Sequence, residues 1–170
     1  MPPRSRVTVS GHRGTAVLAL ALVGLAVSVY LLVDHYTAAT PLACPEGTVV
    51  NCQRVTTSPQ STVMGIPVAL LGVVFFVVLA AVSRPAVWRG LAPWAAWARA
   101  GLAAAGVVGV IYLVYAELFL VNAICLWCTA VHAVALALFA VVAMDLAADP
   151  DQLRTGFAGP RVRSDGLAPP

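Results

Sequence analysis

The sequence predicts an all-α membrane protein, a four-transmembrane-helix bundle with an outer loop that carries a cysteine pair. Three observations lead there. The 170-residue chain is 61% hydrophobic and only 10% charged. A soluble domain averages about 25% charged residues, so this exterior is too poor in charge to face water. Four apolar stretches, residues 15–33, 63–82, 100–123 and 124–146, each come close to the ~20 residues a helix needs to cross a ~30 Å hydrocarbon core. Finally, the four cysteines fall as two pairs beside the ends of those stretches.

In lipid a backbone must satisfy its own hydrogen bonds, so each stretch reads as a helix rather than a strand. The first follows Arg4, Arg6 and Arg13. A cleaved signal peptide is the competing reading, with Ala38-Ala39 as the small residues. The apolar run is longer than a typical h-region of about 7–15 residues, and Asp34-His35-Tyr36 intervenes, so a retained helix is preferred. Thr40-Pro41 and Ser58-Pro59 mark the loop that follows, which holds Cys44 and Cys52. Arg84-Pro85 and Pro93 mark the second connection. The third and fourth stretches abut, and the break is placed at Asn122, where a polar side chain can reach the interface; the two helices then form a tight hairpin. A single helix across both would greatly exceed the bilayer.

All ten cations are arginines. Arg4, Arg6 and Arg13 precede the first helix, Arg84, Arg89 and Arg99 lie in the second connection, and Arg154, Arg161 and Arg163 lie in the tail. The cysteine loop holds only Arg54. By the positive-inside rule both termini are cytoplasmic and both cysteine pairs face outward, in the compartment where disulfides persist. Trp88, Trp94 and Trp97 read as an interfacial belt, and Gly101, Gly106 and Gly109 as sites of close helix packing. The expected organisation is a cytoplasmic tail over residues 1–13, a membrane domain over 14–146 and a disordered cytoplasmic tail over 147–170, whose Asp, Arg, Gly and Pro bury too little apolar surface to offset ordering entropy. The net charge of +3 sits in tails and one loop and is no nucleic-acid signal.

Cys125-Leu126-Trp127-Cys128 opens the fourth helix. Unpaired N–H groups and the dipole at a helix N-terminus favour a thiolate, the attacking species in disulfide exchange. Cys44 and Cys52, with seven residues between them, can close a small loop or open and swing. Two pairs on one side suggest a relay through mixed disulfides. Structural staples, a Cys₄ zinc site and buried free thiols are the other readings. A staple across a CxxC removes little loop entropy, and the seven-residue gap is wide for a zinc knuckle. Ser58 in the Thr56-Thr57-Ser58-Pro59 run reads as a cap or as a site hydroxyl. Glu117 within the third stretch is a functional candidate because ionisable groups in lipid are costly. His132, one turn below Cys128 on the same face, reads as an interhelical hydrogen bond or as a donor to a bound carbonyl compound.

The order of these features resembles the vitamin K epoxide reductase family, and its bacterial homologues most closely. The match runs through Cys44 and Cys52-Gln53-Arg54-Val55-Thr56-Thr57-Ser58-Pro59, then Gly65-Ile66-Pro67, then Glu117-Leu118-Phe119 to Cys125-Leu126-Trp127-Cys128. The resemblance covers residues 14 to 146. It implies a bundle around a quinone, with residues 63–67 forming part of a short cap over the pocket. It implies a quinone-dependent oxidoreductase of the bacterial inner membrane that reoxidises an extracytoplasmic thioredoxin-fold partner. Carried over by position, Cys44 exchanges with the partner, Cys52 passes electrons to Cys125, and Cys128 faces the quinone. Ser58, Glu117 and His132 are the candidate quinone-binding residues, with no metal required. Where some members carry a Tyr four residues after the CxxC, this chain has His132. Some members carry a fused thioredoxin domain; the tail here is too short for one, so the partner is expected to be a separate protein. The lack of lysine and abundance of Ala, Val and Arg fit a GC-rich bacterial genome and favour menaquinone over ubiquinone. Reduction of vitamin K epoxide by the same cysteines is the near alternative. A small transporter or assembly subunit with structural disulfides is the alternative of another class.

Overall fold

The computed structural model describes residues 4–37, 43–44, 47–84 and 94–148, with side chains from residue 12 onward. Trp88, Arg89 and the tail arginines lie outside the described residues. Helix α1 spans Arg4–Thr37 and therefore begins well inside the expected N-terminal tail. No proline interrupts the chain between Pro3 and Pro41, so nothing forces a later start. The short helix α2, Cys52–Thr56, is capped by Asn51, whose Oδ1 accepts the Arg54 N–H at 2.8 Å. A 3₁₀ turn at Pro59–Ser61 leads into a two-stranded antiparallel hairpin, β1 Thr62–Val63 and β2 Ile66–Pro67. Its turn is Met64-Gly65, both at positive φ (53° and 80°). Helix α3 spans Val68–Val82, α4 spans Trp94–Tyr115 and continues as a π-helical turn over Ala116–Val121, and α5 spans Leu126–Ala148.

His12–Thr37, Trp94–Val121 and Leu126–Ala148 are each long and apolar enough to cross a membrane. Helix α3 is shorter than its apolar stretch, with 15 residues, or roughly 22 Å at the helical rise. The first residues of that stretch fold instead as the hairpin, where the family resemblance put a cap. Pro67 ends the hairpin and serves as the N-cap of α3, a place where the missing N–H costs nothing. Outward-facing Leu22, Val108, Ile111 and Phe139 are exposed on the bare protein, as lipid-facing side chains must be.

Helix α1 packs against α3 and α5, and α4 packs mainly against α5. One core cluster holds Val17, Phe76, Leu79, Ala103, Leu138 and Val142. A Cβ on Gly24 would fall inside the Phe76 ring, and one on Gly106 would meet Phe75 at 2.9 Å. Gly101 and Gly109 have no neighbour within 4 Å of such a Cβ. Of the three glycines expected to permit close packing, only Gly106 does so; Gly24 takes the role that the sequence reading missed.

The end of the bundle away from the cysteines is held by charge. Arg99, only 4% exposed, donates to the Val82 carbonyl at 3.2 Å. Arg13 reaches Asp145 at 3.7 Å and the Met144 carbonyl at 3.2 Å, and Asp145 acts electrostatically on Arg99 as well. The sequence reading placed Arg99 in a connection. Because α4 starts at Trp94, Arg99 instead lies inside the helix and faces its neighbours.

Candidate active site

The opposite end brings all four cysteines together. Cys44 and Cys52 form a disulfide with a Cα–Cα separation of 6.1 Å, while Cys125 and Cys128 are free thiols. The cysteine loop is tied to the segment before the CxxC by the main chain. Asn51 N–H donates to Ile124 O at 3.0 Å, and Ile124 N–H donates to Val49 O at 2.9 Å. Trp127 adds an Nε1–H bond to Ala43 O at 3.2 Å, and its ring lies 5.0 Å from that of Tyr30 on α1. Cys52 and Cys125 are both fully buried in one cluster with Leu31, Val55, Val121 and Ala123. Cys44 and Cys128 pack at its edge.

Cys125 is the N-cap of α5 rather than a member of its first turn. Its carbonyl accepts the Thr129 N–H at 2.9 Å, and its sulfur accepts the Cys128 N–H at 3.2 Å. A sulfur thus fills the place that Ser or Asp usually takes at a helix start. The hydrogen bond from the Cys128 thiol holds the Cys125 thiol below its ordinary range, with help from the Cys128 and Trp127 N–H groups. Burial and the nearby Glu117 carboxylate oppose this and do not overcome it.

The π-helical turn closes on Glu117. Its carbonyl accepts the N–H groups of both Asn122 and Ala123, and Asn122 closes the turn in the left-handed region at φ 53°. The break therefore falls at the residue where the sequence placed it. Seven residues after buried Val110, Glu117 lies on the inner face of the helix and is 6% exposed, while Leu118 and Phe119 face outward. Its Oε2 accepts the Cys125 N–H at 3.4 Å. The sequence showed a carboxylate in lipid but not its direction.

A cavity of about 340 Å³ lies inside the bundle, bordered by Cys128, His132, Glu117 and Ser58 and walled by apolar side chains such as Phe76 and Leu113. Cys125 does not border it. Ser58 Oγ donates to Val55 O at 2.7 Å, so it offers the cavity an acceptor. His132, 6% exposed, borders the cavity one turn below Cys128. His35 at the end of α1 also borders it; the sequence reading noted His35 only as an interruption after the first apolar run. Small-ligand sites are mostly apolar chambers of about 300–1,000 Å³ with a few placed polar groups. The cavity meets that description, and a flat quinone ring fits its chemistry: apolar walls, one thiol and an imidazole able to donate.

A helical membrane bundle that sets two cysteine pairs beside an apolar internal cavity defines a membrane-embedded thiol oxidoreductase. The chain belongs to the vitamin K epoxide reductase family, whose sequence model matches residues 15–143. A comparison with curated proteins gives no match. Enzymes of this family are thiol-oxidising quinone reductases, and this chain is a multi-pass membrane protein with the cysteine pairs such chemistry requires.

Proposed function

We propose that the protein reoxidises an extracytoplasmic thioredoxin-fold dithiol and passes the electrons through its two cysteine pairs to a membrane quinone, with menaquinone favoured over ubiquinone. The observation that carries this reading is the division of the sulfurs. Cys52 and Cys125 share one buried cluster, whereas Cys128 borders the apolar cavity. A partner thiolate attacks the Cys44–Cys52 disulfide at Cys44, which leaves Cys52 as the thiolate. Cys52 attacks Cys125 of the oxidised Cys125–Cys128 pair, which frees Cys128 toward the cavity. The partner's second thiol resolves its bond to Cys44 and leaves as a disulfide. Cys128 then passes the electron pair into the cavity. Cys44 attacks Cys52 of the Cys52–Cys125 bond, which re-forms the Cys44–Cys52 disulfide and frees Cys125, and Cys125 then bonds to Cys128 to restore the inner disulfide. A quinone held in that cavity would supply the two-electron acceptor. Residues His132, Glu117 and Ser58 border that chamber, with His132 as the donor toward a carbonyl oxygen and Glu117 holding the start of the CxxC helix.

The same reading sets the protein in a bacterial inner membrane with both termini in the cytoplasm and the cysteines outside. Arginine placement supports this orientation. So does the alternation of α1, α3, α4 and α5, which gathers Arg13, Arg84 and Arg99 at the end away from the cysteines.

The test uses the full chain in detergent with a short-chain quinone and a reduced thioredoxin-fold protein. Quinone loss should track thiol loss mole for mole and vanish in Cys128→Ser. Full activity of Cys44→Ala toward that dithiol protein would remove the relay.

A further inference from the structure

Above the apolar cavity lies a second, polar chamber of about 400 Å³. Asp34, Gln53, Thr57 and Thr62 border this outer chamber alone. His35, Thr56, Ser58 and Ser61 border both, so the two spaces meet along a rim of four polar residues. The rim hydroxyls are largely committed. Ser58 Oγ donates to Val55 O at 2.7 Å, and Thr56 Oγ1 donates to Gln53 O at 3.4 Å. Just outside the rim, Thr57 Oγ1 also donates to Gln53 O, at 2.8 Å. Such groups accept hydrogen bonds from water but do not gain and lose protons near neutral pH. Among the described residues, His35 is the single titratable side chain that borders both chambers. It is half-buried, and its ring rests edge-on against Tyr36 at 5.3 Å.

Proton balance gives the arrangement a purpose. This argument rests on the reading proposed above. When a partner dithiol becomes a disulfide, its two electrons travel along the sulfurs, but its two protons are released at the cysteine loop, on the aqueous side. Reduction of a quinone to a quinol takes up two electrons and two protons. Two protons must therefore enter the inner cavity for each electron pair that arrives by sulfur. Most of its walls are apolar, and the four residues it shares with the outer chamber are all polar.

We propose that the outer polar chamber is the proton entry to the quinone cavity and that His35 is the residue that carries protons across its rim. Imidazole takes a proton from water on one nitrogen and releases one from the other. Asp34, bordering the outer chamber only, stands on the water side of that transfer. His132 and Glu117, bordering the inner cavity only, stand on the receiving side.

The experiment separates electron entry from proton entry. Full-length His35→Ala and His35→Gln are prepared in detergent alongside the unaltered chain. Opening of the Cys44–Cys52 disulfide by dithiothreitol is trapped by rapid alkylation, and quinol formation from a short-chain naphthoquinone is followed by absorbance. Disulfide opening is expected to be unchanged in both variants. Quinol formation should slow by at least about tenfold, in the range of lost acid–base groups, with an enlarged solvent isotope effect. Added imidazole should restore rate to His35→Ala. The glutamine variant keeps the side chain's bulk and polarity without its ionisation, so equal loss in both variants separates proton transfer from packing. Quinol formation at the unaltered rate in either variant overturns the proposal. Equal slowing of both steps without imidazole rescue also overturns it, because that pattern marks a structural role. If the unaltered chain reduces no quinone, the parent reading falls and this proposal falls with it.

Discussion

Cys125 carries two duties in one sulfur. It caps α5 by accepting the Cys128 N–H, and it lies in the same buried cluster as Cys52. The capping contacts favour the thiolate, which is the form that attacks and leaves in exchange. The pH consequence has a definite sign. A thiol held below its ordinary range stays ionised at lower pH than a free cysteine. In a Cys44→Ser/Cys52→Ser chain with a reduced CxxC, thiolate absorbance should develop with a midpoint below about 8.5, the free-thiol value. Adding Cys128→Ala removes the S–H donor and should move the midpoint upward. A midpoint that does not move would show that the Cys128 thiol has no part in setting Cys125.

The join between α4 and α5 is the element on which the site turns. Ala103, Val110 and Glu117 are buried at seven-residue intervals, so Glu117 continues the inner face of α4. The π-helical turn closes on the Glu117 carbonyl, and the Glu117 carboxylate accepts the Cys125 N–H. Asn122 then reverses the chain at positive φ, a conformation that Asn and Gly tolerate and β-branched residues do not. Asn122→Gly should keep both stability and quinone reduction. Asn122→Val should lower thermal stability in detergent by about 1–2 kcal/mol and slow quinone reduction, because the strain falls one turn from the CxxC. Equal behaviour of the two variants would show that the reversal does not depend on residue 122.

Across the bundle as a whole, the cysteines and the buried Arg99–Asp145 network lie at opposite ends. The cysteines, the cavity and the polar chamber occupy one end. Arg13, Arg99 and Asp145 link α1, α3, α4 and α5 at the other. A buried cation needs its counter-charge, so breaking one partner costs much more than an exposed pair is worth. Asp145→Ala should destabilise the bundle by about 3 kcal/mol. Arg13→Ala, at a side chain 29% exposed, should cost less than about 1 kcal/mol. Thermal unfolding in detergent measures both. Neither change should alter disulfide opening at Cys44–Cys52, because the two ends are separated by the length of the bundle.

Helix number, the cysteine loop after the first helix and the break at Asn122 were legible in the residues, because lipid imposes length, apolarity and self-satisfied backbones on any spanning segment. The cysteine spacing and the CxxC at a helix start likewise pointed to thiol chemistry without coordinates. The rest depended on packing between segments distant in the chain. Hydropathy could not shorten α3 at Pro67, because Val63, Met64 and Ile66 of the hairpin extend the apolar run of the helix they precede. It could not bury Arg99, since a charge at a helix start reads as a loop charge until its neighbours are placed. Nor could composition show that Cys125 lies with Cys52 while Cys128 borders a cavity, or that His35 stands where two chambers meet. Local order follows from what each segment must do in lipid. Which sulfur, carboxylate or imidazole faces which space is decided only when helices from four parts of the chain close around one volume.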